Sequence, residues 1–558
     1  MRKWISLCMA LVMLLCSVSA FANEVDPANV VNEDAYQLFL AAEDNTMPIC
    51  SDGSITLTIY VDLDEYSVNF MDSYDEHPVV KEVERLTGIN IEFVHPPVGD
   101  DGTFFTQTLA SGEYPDIFLT SDFAERYPGG VAGAINDGVL IDMDPYIRQY
   151  AKNFLALLSQ TSADTYRNMT DDEGRISMGS SFACDFIRGK VNQGFVCRLD
   201  LLQAAGIESV PTTIDELTEA LRALKAYGVE IPMSLGTLDN YRYTDSNFLS
   251  AAFGVAMNAY QVDENGTVFY SRAAEGYKAF LKQMNAWYEE GLIDRDLVTR
   301  NVKDCPKQMY NGTTAFCVVG NWQTAEMVVL GTETDPNFVL AAVPNVRLTD
   351  ASEHQGLSSI ITEGEDGQYM HISATCKYPE AAVKLLDYLY NMDTVMLAYW
   401  GVGEVTDENG TVIGTTYNTL EDGSHEYGDL IMADPDWDYE TIRHKYTLQI
   451  FQRYMIEEPE RLEYSDPICQ ECWDVWTANT DNTSLVANSV TRTADEDAVF
   501  SLAQNDINTY SDEMMYYFIL GEKDIDAEWD SYIATMEAYG LRDCEAIQQA
   551  AYDRWATR

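Results

Sequence analysis

At 558 residues the chain is long enough for two or more domains with ample buried core. Its 91 acidic residues against 34 basic ones give a net charge of −57, a surface that repels phosphate backbones and anionic head groups and so excludes nucleic acid as a partner. A hydrophobic content of 46% with 11% aromatics marks a folding sequence, not a disordered one.

In chain order, Arg2 and Lys3 precede an apolar run from Ile5 to Leu15, and small residues surround the Ala22–Asn23 bond. This predicts a signal peptide over 1–22, too short to span a bilayer, and places the protein outside the cell or in the cell envelope. Cys16 offers a competing lipid-anchoring site. Leu15, however, puts a bulky residue where lipoprotein cleavage wants a small one, so simple cleavage after Ala22 is expected. Residues 23–50 are polar and aperiodic, and read as a flexible segment.

A strand with alternating β-branched residues runs from Ile55 to Tyr60, followed by a helix from Pro78 to Thr87 that Gly88 ends, and by a second strand at Ile89 to Val94. A helix over Thr103 to Ser111 and a short strand at Asp116 to Leu119 continue the alternation, which predicts a parallel sheet. Amphipathic helices are expected at Thr213 to Tyr227, Ala273 to Glu290 and Pro379 to Tyr390, and mostly helix beyond residue 430. Glu264 to Gly266, Asn311-Gly312 and Glu408 to Gly410 read as hairpin turns.

The chemistry-bearing residues show no catalytic pattern. The six histidines are scattered, and no zinc, nucleophile-elbow, P-loop or dinucleotide motif occurs. Asp434, Asp436, Asp438 and Glu440 alternate as calcium ligands do but lack the glycine of an EF-hand loop, so neither a metal nor another cofactor is expected. Outside the leader, nine cysteines are too sparse for a disulfide scaffold, and Cys469 and Cys472 have no second pair at metal spacing.

Several stretches in order look familiar. Glu84 to Phe93, Leu109 to Ile117, Arg198 to Gly206 with Val210 to Leu217, Tyr288 to Asp294, Pro379 to Leu389 and Gly521 to Tyr532 resemble the family 1 extracellular solute-binding proteins, the oligosaccharide-type receptors of ABC importers, in their long LplA-like branch. The resemblance implies an α/β, two-lobe, type II periplasmic-binding-protein-like fold, its discontinuous lobes joined by a multi-strand hinge, with a helical C-terminal part. The expected division is 51–166 with 356–398 for the first lobe and 167–355 with 399–558 for the second. It further implies a monomer that is not an enzyme. Such a protein captures a carbohydrate in the interlobe cleft and hands it to the transmembrane subunits of an ABC permease.

A sugar ring offers apolar faces to aromatic rings and hydroxyls to carboxylates and amides. Trp322, just past the strand Thr314 to Val319, is the leading platform, and the resemblance puts a cleft aromatic there. Trp400 and Glu404 lie in a stretch that resembles a family motif. Tyr241, Arg242 and Tyr243 form a polar aromatic loop, while Ser121, Asp122 and Tyr66 follow first-lobe strands. The competing readings are a secreted glycoside hydrolase, whose acid pair 91 carboxylates would always supply, and a peptide or lipid receptor on the same fold.

Overall fold

The computed structural model describes residues 25–558 except 101, 121–122, 180–181, 185, 188, 237–246, 258, 302–303, 350, 352–368, 408, 438, 479, 481–483 and 488–489. The leader, with Cys16 and Ala22, lies outside the described residues.

Two four-stranded sheets organise the chain. In the first, strand Thr56–Tyr60 lies parallel to both Asn90–Val94 and Ile117–Thr120, and Tyr369–Ile372 returns from far along the sequence to pair antiparallel with Ile117–Thr120. The helix Pro78–Thr87 explains the first crossover. Proline opens it, Val79, Val80 and Val83 bury one face, and Gly88 at φ 68° closes it, where a Cβ would collide with the Cys50 carbonyl. In the second sheet the order is Leu340–Ala342, Gln193–Arg198, Thr314–Gly320, Ile231–Met233. Gln193–Arg198 runs antiparallel to its neighbours, whereas Ile231–Met233 and Thr314–Gly320 are parallel.

Each sheet has its own core, one around Leu57, Val79, Leu119, Phe154 and Leu386, the other around Leu217, Met284, Phe316 and Phe518. The chain crosses between the two halves after Ala183, between Ala342 and Tyr369, and after Met455. The first and last of these crossings are stitched by a short parallel pair, Phe182–Ala183 with Tyr454–Met455. The C-terminal part is helical: Ala494–Ile519, Ile525–Ala538 and Leu541–Trp555 pack on the second core.

Met169, Ile176, Met178 and Phe182, and later Leu448 and Phe451, pack in the first core, within the stretches 167–355 and 399–558 expected for the second lobe. Residues 23–50 are not a loose tether over their described part: Glu33–Ala41 is a helix capped by Asn32, and Ala35, Phe39 and Ala42 are buried in the first core. The hairpins at Tyr260–Val262 with Val268–Tyr270 and at Glu404–Thr406 with Val412–Thr415 form as expected. Asn311-Gly312, in contrast, joins the helix Cys305–Tyr310 to strand Thr314–Gly320 and makes no hairpin.

Candidate functional site

Strand Thr314–Gly320 is buried along its whole length, so its end is rigid. Helix Asn321–Thr334 starts at once, with the Gly320 N–H donating to Gln323 Oε1 at 2.9 Å. Trp322 is the second residue of that helix and 39% exposed. Its ring lies so close over Gly320 that a Cβ there would come within 2.4 Å of it, which only glycine permits. One face of the indole is therefore taken by backbone and the remainder meets solvent, the condition a stacking platform needs. Next to it the Asn321 N–H donates to the Asn192 carbonyl at 2.8 Å, and Asn321 Nδ2 donates to the Cys469 carbonyl at 3.0 Å. The Oδ1 atoms of Asn192 and Asn321 are buried without a donor among the described residues, acceptors of the kind a bridging water or a ligand hydroxyl satisfies.

On the first lobe, the loop after Thr56–Tyr60 is organised by Asp64. Its carboxylate accepts from the Tyr66 and Ser67 N–H groups at 2.9 and 2.8 Å, and from the Ser67 and Tyr74 hydroxyls at 2.5 and 2.6 Å. Its Oδ1 also lies 3.2 Å from His444 Nδ1. Burial pushes this carboxyl up, but His444, Ser67 and Tyr74 outweigh burial and hold it well below the usual carboxylate range. Half-buried Tyr66 stacks on His444 with ring centroids 4.6 Å apart, so one of its faces is occupied. Beyond it Phe70 meets Trp437 edge-on at 5.2 Å, and Trp437 is 41% exposed.

The family model for bacterial extracellular solute-binding proteins matches residues 73–396, more than half the chain. The chain belongs to that family. Over 496 residues the solute-binding protein is 23% identical to the fructooligosaccharide ABC transporter substrate-binding protein FusA of Streptococcus pneumoniae, covering 86% of this chain and 87% of that one. It is 28% identical to lipoprotein LipO of Bacillus subtilis over 233 residues, 40% of this chain but only 42% of LipO. Among solved structures, the HMO-binding, ABC-transporter-associated solute-binding protein of Bifidobacterium longum infantis superposes with a TM-score of 0.69 at 18% identity, over 90% of this chain and 99% of that one. This likeness confirms the two-lobe α/β fold.

The structure brings only part of the expected ligand set into view. Trp400 ends the helix Met392–Trp400 and is completely buried against Tyr427, His425 and Tyr417, with centroids at 4.7, 5.5 and 6.3 Å, so it packs a core instead of presenting a face. It also backs a shallow cavity of about 260 Å³ edged by Glu82, Asp393 and Tyr417. Glu404 is exposed and opens a hairpin, paired with Thr415. Ser121, Asp122, Tyr241, Arg242 and Tyr243 lie outside the described residues. Among the described residues no three His, Cys, Asp or Glu side chains gather as metal ligands. Sequence reading missed Asp64, Phe70, His444 and Trp437; the partners are separated by more than 360 residues, which leaves no local spacing to find.

Proposed function

We propose that this solute-binding protein captures an oligosaccharide between its lobes, releases it unchanged to the transmembrane subunits of an ABC permease, and does so as a monomer. The exposed Trp322 indole, braced on Gly320 at the end of a fully buried strand, carries the reading. The glycan ligands named for FusA and for the Bifidobacterium protein support it. Lobes joined at three crossings can rotate as rigid bodies, and a ligand touching both favours closure. Ser121, Asp122, Tyr241, Arg242, Tyr243 and Glu404 are proposed as ligand contacts on their sequence positions alone. We assign the N-terminus to cleavage after Ala22, which mass spectrometry of the exported protein checks.

Calorimetry of the full exported chain against a panel of fructo-oligosaccharides, milk oligosaccharides, alginate oligomers and peptides, with product analysis, tests the proposal. The expected result is binding of one glycan class without turnover, weakened by more than about 1 kcal/mol in Trp322→Ala. Hydrolysis of a bound glycan would make the protein a glycosidase. Binding confined to peptides would keep the fold and discard the sugar.

A further inference from the structure

We propose that the last helix of the chain is a clasp between the lobes, with Asp172 of the first lobe as its anchor. Asp172 sits in the turn between Met169 and Ile176, both part of the first core, whereas Leu541, Cys544 and Phe500 tie the helices Leu541–Trp555 and Ala494–Ile519 to the second. The junction therefore joins the two bodies at a place apart from the crossing segments.

The contacts are numerous and directional. Asp172 Oδ2 accepts from Arg554 Nε at 2.8 Å, and Oδ1 accepts from Arg558 Nε and Nη2 at 2.9 and 2.7 Å. Arg558 Nη1 donates to the Thr170 carbonyl at 2.7 Å, and Trp555 Nε1 donates to Asn168 Oδ1 at 3.2 Å. The Arg167 guanidinium lies 5.4 Å from the Trp555 ring centroid. Behind them Glu496 holds Arg554 through two bonds of 2.9 and 2.6 Å, so the guanidinium is aimed before it reaches Asp172. The side chain of Arg558, the final residue, is only 3% exposed. A guanidinium buried to that extent needs acceptors on every side, and here Asp172 and the Thr170 carbonyl supply them from the first lobe and Thr491 Oγ1, at 2.7 Å, from the other side. Nearby, Gly129 approaches Ala494 so closely that a Cβ would stand 2.9 Å from the Ala494 Cβ.

Rotation of one lobe against the other strains or breaks this set, so the clasp sets the interlobe angle of the unliganded protein. That role rests on the two-lobe fold and not on the identity of the cargo. Small-angle scattering of the unliganded full chain tests it. Asp172→Asn, which keeps the shape and removes the charge, and Arg558→Gln should each raise the radius of gyration by about 1 Å from the roughly 24 Å of a compact chain this long. Combining them should add less than the sum of the two, since both cut the Asp172–Arg558 pair. Circular dichroism and melting confirm that each variant is folded, and Arg558→Gln, at the chain end, decides the matter if Asp172→Asn does not fold. Scattering curves of folded variants that superimpose on the wild type would overturn the clasp. A negative glycan panel alongside shifted curves would sink the sugar reading alone.

Discussion

Asp387 shows how burial sets the behaviour of a single residue. Its carboxylate is fully buried in the first core, accepting from the Phe154 N–H at 2.9 Å, Asn153 Nδ2 at 2.9 Å and Asn45 Nδ2 at 3.3 Å. Burial pushes its pKa up to about 7 against these bonds. Asn45 Nδ2 is held in that orientation by the Tyr150 carbonyl, to which it also donates at 2.7 Å. Because the folded state holds the proton and the unfolded chain releases it near 3.8, native stability falls as pH rises from about 4 to about 7. The slope is about 1.4 kcal/mol per pH unit at most. Asp387→Asn should flatten that slope in denaturant melts at pH 5, 6 and 7, and an unchanged slope would remove the residue from the account. Asp64 acts in the opposite sense: its lowered pKa gives stability that is present above the ordinary carboxylate range and is lost as pH falls below about 4. The position of Trp322 just past a strand was legible in the sequence because a strand end is a local signal. The burial of Trp400 was not, since Tyr417, His425 and Tyr427 reach it only through the hairpin fold that follows.

Among elements, helix Glu33–Ala41 is the instructive difference. Its nine residues are acid-rich and short, and a helix of that length is marginal alone in water. It forms because Ala35, Phe39 and Ala42 insert against helix Lys152–Leu158, a partner more than 100 residues away that no local pattern announces. Phe39→Ala should therefore cost about 3 kcal/mol in chemical denaturation; a cost below about 0.5 kcal/mol would restore the loose tether. The helices over Pro78–Thr87, Thr103–Ser111, Ile214–Tyr227 and Glu275–Glu290 were readable to within a few residues, since each carries its own glycine stop and all but Thr103–Ser111 a buried stripe. That Met178 and Phe451 join the first core was not, because their partners lie far along the chain and leave no local pattern.

For the molecule as a whole, a charge of −57 loads both lobes with like charge. Shortening the Debye length from about 30 Å at 10 mM salt to about 8 Å at 150 mM should raise the melting temperature. A melting temperature that falls with salt instead would mean that paired charges such as those around Asp172 outweigh the general repulsion. The interleaved lobes also bear on how the protein is made. A chain threaded through an export channel from its N-terminus delivers strand Thr56–Tyr60 early, but Phe451 and the Tyr454–Met455 stitch follow it by almost 400 residues. The first half is not complete until Phe451 and that stitch have emerged, so a chain stalled anywhere before Leu448 would leave both lobes unfinished.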